Sequence, residues 1–181
     1  MTQIKGDLVN PDTPEKFKGN NYFQASEQIF YIYDGPIPLP KGKNQVVPKD
    51  YIILPEIGVY KFHSDAKNWN DARNACIKEG AHLAVIRTPE ENEFIKKVNK
   101  EKGVVNAWLG LHNYFQINDW VTVDDTPLET IGYAPWVPGE PNNYKNLNEW
   151  CVVYAADIGM NDLACHHSHP FYCKIKLDEG L

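Results

Sequence analysis

The sequence predicts an α+β fold in which two helices pack on short antiparallel strands, beside one long stretch without regular pattern. Three observations carry this. Two segments near residues 68–77 and 88–102 have helical periodicity with start and stop signals. Short β-rich runs follow and flank them. Residues 126–149 hold Pro127, Pro135, Pro138 and Pro141 and no period; a structureless stretch of that length inside a compact domain is usually functional.

In chain order, residues 1–50 form a Pro-rich N-terminal extension, with Pro11, Pro14, Pro36, Pro38, Pro40 and Pro48. Phe23, Ile29, Phe30, Tyr31, Ile32 and Tyr33 make it too apolar for a free linker. Part of it is therefore expected to pack on the domain or on a neighbour, which leaves an oligomer through this extension open. Residues 51–176 read as the main domain and 177–181 as a tail. Tyr51 to Phe62 reads as a first strand or strand pair. In the first helix Asn68 is the N-cap, Trp69, Ala72 and Cys76 share a face, and Gly80 supplies the stop. In the second, Thr88 caps, Pro89 takes the first position and Glu91 completes a capping box. Phe94, Ile95 and Val98 keep its period, and Gly103 ends it. Val105–Leu111 reads as a central strand and Trp120–Val123 as a strand entering a turn. Trp136 plugs the small core of the irregular stretch, and strands at Val152–Tyr154 and Phe171–Cys173 close the domain.

Composition narrows the function. A chain of 181 residues with 43% hydrophobic residues can bury a real core. No apolar run reaches the ~18–20 residues of a membrane helix. A net charge of −6 without a basic block argues against nucleic acid, whose binding leans on Lys and Arg. Residues 1–7 have no apolar core, so a secretory signal is absent from this sequence. The readings are a mature secreted form with an added Met or a cytosolic chain. The four cysteines favour the secreted form, and by themselves they allow three pairings.

Chemistry concentrates between Glu140 and Cys173. Glu140-Pro141-Asn142, Glu149 before Cys151, and Asn161-Asp162 before Cys165 supply five oxygen-bearing side chains in three clusters. Singly, Glu-Pro-Asn reads as a turn and Asn-Asp as a loop. Together they form the carboxylate-and-amide set that a hard cation such as Ca²⁺ takes, and they lack the His and Cys that zinc prefers.

As an ordered set, these residues resemble the C-type lectin domain. The match runs through Trp108-Leu109-Gly110-Leu111, Trp136-Val137-Pro138-Gly139-Glu140-Pro141-Asn142, Glu149, Asn161-Asp162 and Phe171-Tyr172-Cys173. Residues 54–63 and 159–162 are similar to the insect haemolymph branch, the immulectin and lipopolysaccharide-binding proteins. The resemblance implies the C-type lectin fold with a long calcium-binding loop, and disulfides Cys76–Cys173 and Cys151–Cys165. It implies Ca²⁺ held by Glu140, Asn142, Glu149, Asn161 and Asp162, with a cis Pro141. It implies a carbohydrate partner of mannose, glucose, GlcNAc or fucose type bound through Glu140, Asn142, Glu149 and Asn161. Tyr144 and Lys145, in the loop before Glu149, read either as packing against the sugar or as a solvated loop tip. Recognition of microbial glycans in innate immunity follows from the same likeness. The alternative is an interaction protein that keeps the fold and binds protein or lipopolysaccharide lipid without calcium.

Three departures from the family pattern stand out: Met160 where Trp is usual, Asn143 where members with a second Ca²⁺ carry Asp, and a long 142–149 loop. Asn143, with no carboxylate in Leu111-His112-Asn113-Tyr114-Phe115-Gln116, argues against a second calcium site; Met160 is a strand packing position that should leave binding intact, and the longer loop blurs the subsites. His166, His167 and His169 lack an evident fourth ligand for zinc. Glu140 and Glu149 are the residue types of a glycosidase pair, but nothing in the sequence marks either as an acid of raised pKa in an apolar pocket, and no nucleophile motif occurs. No enzymatic activity is expected.

Overall fold

The computed structural model describes residues 20–25, 28–33, 48, 50–54, 57–146, 148–156 and 158–175. Pro11, Pro14, Pro36, Pro38 and Pro40 of the extension and the tail at 177–181 lie outside them. Among the described residues the order is β1 (Asn20–Ala25), β2 (Gln28–Tyr33), β3 (Ile52–Leu54), β4 (Gly58–Lys67), α1 (Trp69–Lys78), β5 (His82–Leu83), α2 (Pro89–Lys102) and β6 (Asn106–His112). Then come β7 (Val121–Thr122), α3 (Leu128–Ile131), β8 (Cys151–Ala155), β9 (Gly159–Leu163) and β10 (His169–Ile175).

These strands join in one sheet, ordered β1-β2-β3-β4-β10-β6-β8-β9, with β5 beside β10 and β7 beside β6. The last strand lies between two much earlier ones. It runs antiparallel to β4 and meets β6 in parallel, Phe171 opposite Trp108. The expected short antiparallel sheets are thus a single mixed sheet. Period-2 patterning marks a strand but does not encode its partner, and this pairing is long-range. The extension joins the same sheet: β1 and β2 form a hairpin, and β2 pairs with β3 at Tyr31↔Ile53 and Ile32↔Ile52.

Both sheet faces are covered. On one, α1 buries Trp69, Ala72 and Cys76 against Leu83, Trp108, Val153 and Phe171. On the other, α2 buries Phe94, Ile95 and Val98 against Tyr60, Leu109, Val152, Tyr154 and Tyr172. Successive residues of β8 and β10 therefore go to opposite cores, which is why these strands read as unbroken apolar runs. Disulfide Cys76–Cys173 pins α1 to β10 across a separation of 97 residues, and Cys151–Cys165 closes 14. Loop-closure entropy assigns about 5 and about 3 kcal/mol to these rings.

Cap chemistry sets the helix ends. The Asn68 side chain accepts from Asp71 N–H at 2.9 Å. Thr88 Oγ1 accepts from Glu91 N–H at 3.3 Å, and Gly103 ends α2 at φ 64°. Glu91 departs from a simple capping box. Its carboxylate reaches past Thr88 to the Arg87 N–H and forms an ion pair with Lys174 of β10. A residue expected to close a helix end thus ties α2 to the sheet. Among its described residues, the stretch 126–149 is irregular apart from α3 and a short 3₁₀ turn at Tyr144–Asn146.

Candidate functional site

The irregular stretch is stitched to β9 just before its candidate residues begin. Met160 N–H donates to Pro135 O at 2.7 Å, and Val137 N–H donates to Met160 O at 2.8 Å. Trp136 packs on Trp120 with ring centroids 5.2 Å apart, and Met160 is fully buried beneath the stitch. Gly159 allows the close approach, since a Cβ there would collide with the Pro135 carbonyl oxygen. The next residues on each side are the candidates: Glu140-Pro141-Asn142 on the loop and Asn161-Asp162 on β9. The Glu140–Pro141 peptide is cis. Glu149 enters from the start of β8, whose register with β9 sets Val152 opposite Asp162 and Val153 opposite Asn161.

Backbone amides hold two of the carboxylates. Asp162, 1% exposed, accepts from Asn142 N–H at 3.1 Å through Oδ1 and from Asn143 N–H at 2.7 Å through Oδ2. Glu149, also buried, accepts from Tyr144 N–H at 2.6 Å, and its own N–H donates to Asn143 Oδ1 at 3.1 Å. Glu140 contacts Asp162, and its Oε2 is buried with no hydrogen-bond partner. Burial pushes the Glu140 carboxyl above its usual range, reinforced by contact with Asp162 and by the charges of Asp162 and Glu149 and opposed by the Asn142 backbone N–H. Burial also raises Glu149, helped by Asp162 and opposed by the Tyr144 amide and by His167. The sequence marked neither glutamate as an acid of raised pKa; both are raised, first because the folded loop buries them and then because acids distant in the chain come near each other. A buried, partnerless carboxylate oxygen among like charges fits a hard cation, whose charge offsets both penalties.

Asn142 is exposed, Asn161 is half-buried, and Tyr144 stands 54% exposed with Lys145 Nζ 4.9 Å from its ring centroid. The three candidate carboxylates do not close on a single point. Among the described residues, one trio of His, Cys, Asp or Glu has ligand atoms within 4.8 Å of one another: His63, Glu79 and Cys173. Cys173 is in a disulfide and offers no thiolate. His166, His167 and His169 form a chain of ring contacts, with His169 edge-on to Trp108 at 5.1 Å. Sequence reasoning missed the part played by Asn143, which it noted only as a departure. Its one local signal is tolerance of a left-handed backbone, and its φ is 43°.

The long loop stitched to β9 and the disulfide crossing from α1 to β10 are the marks of one family, and the chain belongs to the C-type lectins. Residues 65–175 match the family model described as the lectin C-type domain. The chain is 33% identical over 159 residues to a hemolymph lipopolysaccharide-binding protein of Periplaneta americana, an alignment covering 84% of this chain and 61% of that protein. It is 36% identical over 152 residues to a mannose-binding C-type lectin isoform of Oxyuranus scutellatus, covering 78% of this chain and 91% of that one. Among solved structures it resembles a calcium-independent type II antifreeze protein, with a TM-score of 0.60 and 28% identity over 70% of this chain and 92% of that one. No helix among the described residues is long and apolar enough to cross a membrane.

Proposed function

We propose that this protein is a secreted, calcium-dependent lectin of mannose-type selectivity that recognises microbial surface glycans and has no catalytic role. The observation that carries the reading is the buried, partnerless Oε2 of Glu140 beside Asp162, within the field of Glu149. Glu140, Asn142, Glu149, Asn161 and Asp162 would hold the ion. Bound there, Ca²⁺ would supply open coordination positions to two vicinal hydroxyls of a sugar. The side chains complete the recognition. A hydroxyl has one hydrogen to donate and two lone pairs to accept with. An amide N–H of Asn142 or Asn161 gives it a hydrogen bond, and a carboxylate of Glu140 or Glu149 takes one. By its resemblance to C-type lectins in which Glu-Pro-Asn goes with mannose, glucose, GlcNAc or fucose and Gln-Pro-Asp with galactose, Glu140-Pro141-Asn142 supports the first group, and the likeness to a mannose-binding relative points the same way. Exposed Tyr144 lies beside the site as an apolar face for the ring.

Glu149 and Asp162 already accept backbone hydrogen bonds and Glu140 abuts Asp162, so all three acids are committed to holding the loop and its ion. That arrangement supports binding rather than proton transfer. Two disulfides support an oxidising, extracellular compartment. Because the fold also occurs in a calcium-independent protein, the decisive test is release by chelation. The chain is expected to be retained on mannose resin in millimolar Ca²⁺ and to elute with EDTA. Retention unchanged by EDTA would overturn the calcium reading, and absence of retention on mannose, GlcNAc and fucose alike would overturn the lectin reading.

A further inference from the structure

One residue touches both amide-held carboxylate segments of the site. Asn143 donates its backbone N–H to Asp162 Oδ2 at 2.7 Å, and its side-chain Oδ1 accepts the Glu149 N–H at 3.1 Å. Its neighbours continue the pattern, Asn142 N–H to Asp162 and Tyr144 N–H to Glu149. The chain turns here through left-handed residues, Asn143 at φ 43° and Lys145 at φ 52°. Asn143 therefore spans the gap between β9, which carries Asp162, and the entry to β8, which carries Glu149. We propose that Asn143 is a positioning residue: it closes the long loop on Asp162 and Glu149 before any cation arrives, and so presets the calcium site. The inference rests on the calcium-dependent lectin reading.

Like-charged groups gathered in a loop tend to splay it. Amide donors on Asp162 and Glu149 oppose this, but an amide hydrogen bond holds a segment only if the segment is itself fixed. Asn143 fixes it from both sides. The side-chain oxygen at this position supplies the acceptor for the Glu149 N–H. The loop is then ordered by its own hydrogen bonds, and the ion does not have to meet the ordering entropy on binding. Asn also tolerates the left-handed backbone that the position demands.

Two substitutions separate this role from a general effect on folding. Asn143→Gly keeps access to the left-handed backbone and deletes the acceptor. Asn143→Asp keeps an acceptor oxygen at the same atom. In EDTA, hydrogen exchange at the Glu149 amide is expected to accelerate about five- to tenfold in Asn143→Gly, the loss of one hydrogen bond, and to stay near the wild-type rate in Asn143→Asp. Exchange at the Tyr172 amide in β10 should be equal in all three proteins. Calorimetric Ca²⁺ affinity should fall about five- to tenfold in Asn143→Gly and return to the wild-type level or above in Asn143→Asp. Unchanged exchange at Glu149 in Asn143→Gly would overturn the proposal, as would equal losses in both variants. A wild-type chain that takes up no Ca²⁺ would sink the lectin reading instead, and the exchange measured in EDTA would still decide what Asn143 does.

Discussion

Replacing Glu91 with Ala tests whether this residue is a helix cap or a bond between layers. Were it only a capping-box partner, the loss would be about 1 kcal/mol, because Thr88 would go on accepting the Glu91-position N–H. The structure predicts more. Glu91 is 3% exposed, takes the Arg87 N–H and pairs with Lys174, whose side chain is 14% exposed. Deleting the carboxylate leaves the Lys174 ammonium largely buried over the Tyr60 ring, 5.2 Å from its centroid, with its anion gone. Breaking one side of a buried pair costs about 3–5 kcal/mol, a large fraction of the ~5–15 kcal/mol that holds a domain together. Removing both charges relieves the unpaired ammonium, so Glu91→Ala with Lys174→Met should recover at least half of the loss. The assay is urea unfolding followed by Trp fluorescence on the wild type, both single variants and the double. A loss near 1 kcal/mol in Glu91→Ala, or strict additivity in the double variant, would refute the interlayer role.

Met160→Ala empties a fully buried site beneath the Pro135–Val137 stitch and should cost about 2–5 kcal/mol; Met160→Leu should cost under ~1.5 kcal/mol and leave mannose retention intact. Stability measured in EDTA on Glu140→Gln, Glu149→Gln protein, which lacks the two carboxyls whose raised pKa values would stabilise the fold as pH falls, should decline on acidification. Burial lowers the pKa of His63, His82, His112 and His169 below 6.5, so the unfolded chain binds more protons. Their contribution is fully present above pH 6.5 and is lost as pH falls from there through the lowered folded values; a flat profile from pH 7 to 5 would contradict it. Exchanging Glu140→Gln together with Asn142→Asp should move the glycan-array preference from mannosides towards galactosides, and an unchanged ranking would show that the order of acid and amide does not set selectivity.

The sequence by itself determined what local chemistry can encode. Asn68, Thr88, Pro89 and Gly103 fixed the ends of α1 and α2, because capping involves only residues three or four positions apart. The ordered clusters around Glu140, Glu149 and Asn161 marked the candidate site, because the donor set proposed for a hard cation is a matter of residue type. Tertiary structure decided everything that depends on which distant residues meet. It set β10 between β4 and β6, joined the extension to the sheet through β2, and turned Glu91 from a cap into a partner of Lys174. It raised Glu140 and Glu149 by burying them beside Asp162. It also made Asn143 the link between two segments that the sequence leaves apart, since a hydrogen bond from Glu149 to a side chain six positions earlier exists only once the loop has folded back on β9.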